Sequence, residues 1–90
     1  MGKLTKKIRP TKNNLSKIPK QSGAYLLCRG NNPPYVGSAS AGNLQKRIKQ
    51  QLNIKRGITS IRYKPTGSER EARFWEKIYR DKYNPDQKKV

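Results

Sequence analysis

Histidine is absent from these 90 residues, and cysteine occurs once, at Cys28. The first absence removes histidine-ligated metal centres and any Ser-His pair; the second removes disulfides and cysteine-based zinc sites. No run of about 18 apolar residues and no hydrophobic leader segment is present, so neither a membrane span nor secretion is expected. The expected location is the cytoplasm, in association with the nucleoid. Hydrophobic residues make up 31% of the chain, which leaves room for one domain with a small core. Acids are the most telling shortage. Met1 to Ser68 contain fifteen Lys or Arg and no Asp or Glu, and all five acids (Glu69, Glu71, Glu76, Asp81 and Asp86) fall in the last 22 residues. Any carboxylate chemistry is confined to that segment.

What remains is charge. A formal +17 repels itself in a compact chain and points to a polyanionic partner. Nucleic acid comes first, because neutralising phosphates releases condensed counterions. An anionic membrane would call for an amphipathic helix with large apolar anchors, and the N-terminal segment offers only Leu4, Ile8 and Leu15. No membrane partner is expected. Residues 1–17, basic and broken by Pro10, read as a flexible arm that either solubilises the chain or tracks phosphates. Residues 18–90 form the expected domain.

Ala24 to Cys28 is a short apolar run of strand length. Arg29-Gly30-Asn31-Asn32-Pro33-Pro34 is dense in turn formers, and Tyr35-Val36-Gly37 follows as a second strand, so residues 23–37 read as a hairpin. Ser40 or Asn43 caps a helix in which Leu44, Ile48 and Leu52 share one buried stripe. Residues 53–57 form a loop; Ile58, Ile61, Tyr63 and Pro65 belong to a third strand. Ser68 and Glu71 have the spacing of a capping box, opening a helix from Glu69 to about Tyr83 that Pro85 halts. The order is β-β-α-β-α, an α/β sandwich with a small three-stranded, mainly antiparallel sheet flanked by helices.

On the last helix, Ala72, Glu76, Tyr79 and Tyr83 share one side. Glu76 therefore falls within or beside an apolar stripe, where an ionised carboxylate needs a partner. An ordinary helical pair with Arg80 or Arg73 is the simpler account of it; the other is anchoring one hard cation whose shell phosphate and water complete. Tyr25 and Tyr35, on adjacent strands, fit either core packing or two hydroxyls on one side. Arg47 flanks the Leu44/Ile48 stripe, where a basic DNA-binding face would also lie.

Taken in order, Gly23-Ala24-Tyr25, Tyr35-Val36-Gly37, Asn43-Leu44 with Arg47, Glu71-Ala72 with Glu76, and Pro85 resemble the GIY-YIG endonuclease family over residues 20–85. The resemblance implies a GIY-YIG-like fold and metal-dependent hydrolysis of DNA phosphodiester bonds, with DNA ahead of RNA as substrate. It implies that Tyr25 and Tyr35 position or deprotonate the attacking water, and that Arg47 steadies phosphate charge in the transition state. Glu76 would hold one divalent ion, Mg²⁺ or else Mn²⁺, and Gly37 would allow close backbone approach.

The chain departs from the family pattern at several places. Ala24 replaces the middle isoleucine, the interval from Tyr35 to Arg47 is about two residues longer than usual, and Ser38 stands where Lys or Gln is frequent. Gln51 and Lys88 occupy positions that are His and Asn in some members. The competing expectation is a non-catalytic, basic DNA- or RNA-binding module of the same fold. Lys46, Lys49, Lys55 and Arg56 are the candidate phosphate contacts, although a solvated helix face accounts for them equally.

Overall fold

The computed structural model describes residues 4–30 and 32–84. Pro85, Asp86 and Lys88 lie outside them. Its elements follow the order α1 (Lys12–Ser16), β1 (Ser22–Arg29), β2 (Asn32–Ala39), α2 (Leu44–Ile54), β3 (Ser60–Thr66) and α3 (Glu69–Tyr83). The three strands form one sheet in the order β2-β1-β3, with both pairings antiparallel. No helix among the described residues is long and apolar enough to cross a membrane.

Alternation along β1 divides the core in two, because successive side chains leave a strand on opposite faces. Tyr25 and Leu27 point to the face covered by Leu44 and Ile48 of α2, together with Ile18 and Ile61. Ala24, Leu26 and Cys28 point to the other, where Val36 and Tyr79 of α3 meet them. Leu44, Ile48 and Ala72 are wholly buried, as the helical stripes anticipate. The capping box opens α3 with a variation. Ser68 Oγ accepts from the Glu71 N–H at 3.2 Å, but Glu71 Oε1 accepts from Gly67 N–H at 3.0 Å rather than from Ser68.

The hairpin is longer and tighter than expected. Both prolines of the turn-rich stretch lie inside β2, and the turn contracts to the vicinity of Gly30, which has φ 53°. β2 is an edge strand, and Pro33 and Pro34 fall between the Asn32 and Tyr35 pairings, where neither has a partner on β1 and a missing N–H costs no ladder hydrogen bond. The register between β1 and β2 shifts between Leu27 and Arg29.

The arm expected over residues 1–17 is, in its described part, laid against the domain. Thr5 N–H donates to Tyr63 O at 3.0 Å, and Ile8 and Ile61 exchange N–H···O bonds of 3.0 and 2.8 Å. Residues 5–8 thereby run along the outer edge of β3. Arg62 Nε donates to Thr5 O at 2.9 Å. α1 follows, capped by Thr11, and Gln45 Nε2 lies within 3.2 Å of the carbonyls of Leu15, Ser16 and Ile18. Ile8 and Leu15 pack on one half of the core and Leu4 on the other. Three spaced apolar side chains suffice because the β3 edge supplies backbone partners.

Candidate active site

Tyr25 and Tyr35 are placed by register. Tyr25 pairs with Gly37, and Leu27 with Tyr35, so the two tyrosines are diagonal neighbours on the face that α2 covers. The Tyr25 ring lies across Gly37. A Cβ at that position would sit 2.5 Å from both Cζ and Oη of Tyr25, closer than any side chain tolerates. Close approach at Gly37 is thus made by a phenol from the neighbouring strand, which this glycine admits to the edge of the sheet.

The Tyr25 hydroxyl feels all three of the other expected site residues. Burial pushes its pKa up from 10.0 to about 12. The Arg47 guanidinium opposes this by hydrogen bonding and by charge, while Tyr35 and Glu76 add to it. At neutral pH this phenol keeps its proton. Of the two roles expected for Tyr25, orienting a water or a phosphate oxygen is the one a protonated phenol serves directly. Tyr35 is half-buried, with Lys55 Nζ 3.8 Å from its ring centroid.

Glu76 arrives from the opposite side of the sheet. Helical spacing puts it one turn from Ala72 and next to Tyr79's face, at the border between the core and solvent. Its Oε1 accepts from Ser38 Oγ at 2.8 Å, and its Oε2 is 3.5 Å from Arg80 Nη1. The expected helical pair with Arg80 is therefore present, but longer than the roughly 2.7–2.9 Å of a direct charge-assisted hydrogen bond. The other pair is tighter: Arg73 and Glu69 are 2.7 Å apart and well exposed. Exposed pairs of that kind contribute at most about 1 kcal/mol.

A cleft of about 720 Å³ brings Arg47 and Glu76 together, lined by Ser38, Ala39 and Ser40, by Asn43, Lys46, Arg47 and Gln50, and by Glu69, Arg73, Glu76, Lys77 and Arg80; neither Tyr25 nor Tyr35 is among its lining residues. α2 and α3 cover opposite faces of the sheet, and the cleft with walls from both lies at the Ser38–Ala39 end of β2, an edge strand among the described residues. Five cations against two carboxylates give the walls a net charge of +3. Such a depression attracts an anionic backbone.

No family model, curated protein or solved structure matches this chain. The site therefore stands on its own geometry.

Glu76 has the chemistry a hard cation takes. It is a carboxylate facing the cleft, and its Oε2 lies 3.5 Å from Arg80 Nη1, longer than a direct charge-assisted bond. No group of three or more His, Cys, Asp or Glu occurs among the described residues. A single cation that takes the rest of its shell from water and phosphate fits this donor set; a caged ion does not.

The four expected phosphate contacts divide. Lys46 lines the main cleft. Lys49, Lys55 and Arg56 border a second depression beside Leu15 and Ile58, and Lys55 is in addition held over Tyr35. Sequence reasoning missed the α3 wall, Arg73, Lys77 and Arg80, whose i, i+4 and i+7 spacing with Glu76 marks a single helix face. It also missed Ser38 as the donor to Glu76, since Ser38 stood out only as a departure from the family pattern.

Proposed function

We propose that this chain is a GIY-YIG-type endonuclease that hydrolyses phosphodiester bonds of DNA with the help of one divalent ion, Mg²⁺ ahead of Mn²⁺. The observation that supports this reading best is the convergence at the Tyr25 hydroxyl. Arg47 from α2, Tyr35 from β2 and Glu76 from α3 all act on it electrostatically, beside a cationic cleft that Arg47 and Glu76 line together.

The net reaction adds water across a P–O ester bond, with hydroxide going to phosphorus and a proton to the leaving oxygen. Hydrolysis requires an aligned water and compensation of phosphoryl charge. Arg47 presents a planar, permanently charged donor set that matches two phosphate oxygens better than lysine could. Tyr25, protonated, lying across Gly37 and hydrogen-bonded to Arg47, would orient the water through its hydroxyl, and Tyr35 would supply a second. Glu76, braced by Ser38, would hold the cation, which would contribute Lewis-acid charge at the phosphoryl group. Lys46, Lys77 and Arg80 would draw the backbone in.

The rival reading is a basic DNA- or RNA-binding module without catalysis, and the Arg80–Glu76 contact favours it, because that pair engages the carboxylate a cation would need. Nicking of supercoiled plasmid separates the two. Under the proposal, wild type nicks with Mg²⁺ and stops on chelation, while Glu76→Gln and Arg47→Ala bind plasmid but do not cut. Equal nicking by wild type and both variants would overturn the site; no nicking by any of them, with salt-sensitive binding retained, would establish the rival.

A further inference from the structure

Phe74 is 58% exposed on α3. A solitary exposed apolar side chain is ordinary, but the surroundings of this one are specific. Its ring stands edge-on to Trp75, with centroids 5.5 Å apart at 82°. Trp75 in turn stacks on Tyr79 at 5.6 Å, and Tyr79 is buried in the core. Phe74 is thus the outer end of an aromatic series anchored at its inner end.

Cations flank it. Arg70 and Lys77 stand at i−4 and i+3, are exposed, and share the strip of helix surface on which Phe74 lies. Lys77 also lines the main cleft, so an exposed cation links the cleft to the ring around α3. Of the nearby acids, Glu71 is turned back onto the Gly67 N–H, and Asp81 lies two turns further along the helix. An aromatic face at the end of a cationic track matches a strand whose phosphates follow the charges and whose base stacks on the ring. A duplex cannot present that base, because its faces are already stacked. A second copy of the chain is a poor occupant, since each copy carries +17 and would repel the other.

We propose that Phe74 is a stacking platform for an unpaired nucleobase, so that the preferred substrate is single-stranded or carries an unpaired segment next to the bond held in the cleft. This rests on the cleft receiving a nucleic-acid backbone, but not on cleavage.

The test is binding of a dodecathymidylate strand and of a 12-base-pair duplex in chelator, followed by the emission of Trp75, the chain's single tryptophan. Wild type should bind the single strand with quenching. Phe74→Ala should weaken that binding roughly tenfold to a hundredfold while leaving duplex affinity and the salt slope unchanged. Phe74→Tyr should restore binding and Phe74→Leu should not, which separates stacking from mere apolar contact. Wild-type affinity in Phe74→Leu, or an equal loss for single strand and duplex, would overturn the proposal, as would a Phe74-dependent dimer in sedimentation. Plasmid nicking together with single-strand binding that does not depend on Phe74 would leave the endonuclease reading standing while this one falls. Stacking without nicking would do the reverse.

Discussion

The two edges of the sheet have opposite fates. The outer edge of β3 is covered by residues 5–8, whose backbone bonds to Ile61 and Tyr63 continue the ladder. The outer edge of β2 has no strand beside it among the described residues, carries Pro33, Pro34 and Gly37, accepts a side-chain bond from Asn84 at Pro34 O, and borders the cationic cleft at its Ser38–Ala39 end. Exposed edges invite pairing with other chains, and proline and charge are common means of preventing it. Here the prolines supply that protection, while the cleft borders the Ser38–Ala39 end of the same strand. Gly37 goes further, because its missing side chain lets a phenol from β1 reach the open edge. One edge is built for stability, and the other, under the proposed function, for access.

The contrast breaks most sharply at Arg47. Replacing it with alanine removes one of the five cations of the cleft, and the nicking rate should fall about 10²- to 10³-fold, as when a single transition-state donor is lost. Denaturant midpoints should change little, since Arg47 is exposed.

Gly37→Ala attacks the same edge through packing. The added Cβ must displace a buried ring with little freedom to move, which should cost about 1–3 kcal/mol in urea unfolding. It should also lower nicking, whereas Tyr25→Phe in the same background should relieve only part of the strain, because Cζ is as close as Oη. An unchanged midpoint would place the Tyr25 ring elsewhere.

Titration sharpens the comparison. The folded pKa of Tyr25 is raised from 10.0 to about 12, so the fold favours the protonated phenol. That contribution is complete below pH 10 and is lost as pH rises from 10 towards 12, in all about 2–3 kcal/mol. Ultraviolet absorbance of tyrosinate should show a late step that Tyr25→Phe lacks. A phenol titrating near 10 would contradict its burial.

The closed edge should yield the smallest effect. Ile8→Ala removes a half-buried side chain and should cost roughly 1–2 kcal/mol, leaving the nicking rate of the folded protein unchanged. A drop in nicking would show that the two edges are coupled.

Much of this molecule is written in short-range patterns. The apolar run at 24–28, the Leu44/Ile48 stripe and the Ser68 cap each need only a few neighbouring residues to be read. The reading fails where an outcome depends on which strand is outermost. Pro33 and Pro34 signal a turn in isolation, and only an edge position admits them to a strand. Leu4, Ile8 and Leu15 are too sparse to suggest an ordered segment until the β3 edge is known to lack a partner. For the candidate site, Tyr25, Tyr35, Arg47, Glu76 and Gly37 were legible as an ordered set of motifs. Neither the direction of the Tyr25 pKa nor the contact between Ser38 and Glu76 could be read, because both depend on burial and on register across the sheet. The α3 cations were visible as a helical face, but nothing in the sequence alone linked that face to Arg47 on another helix.

To hold a cation in the cleft, Glu76 must release Arg80. The most direct measurement is a crystal soaked with Mn²⁺ and examined by anomalous scattering. The account predicts one peak within coordination distance of a Glu76 oxygen, on the cleft side and close to the Tyr25 and Tyr35 hydroxyls, with the Arg80 guanidinium moved away. No peak there, with Glu76 still held between Ser38 and Arg80, would contradict it.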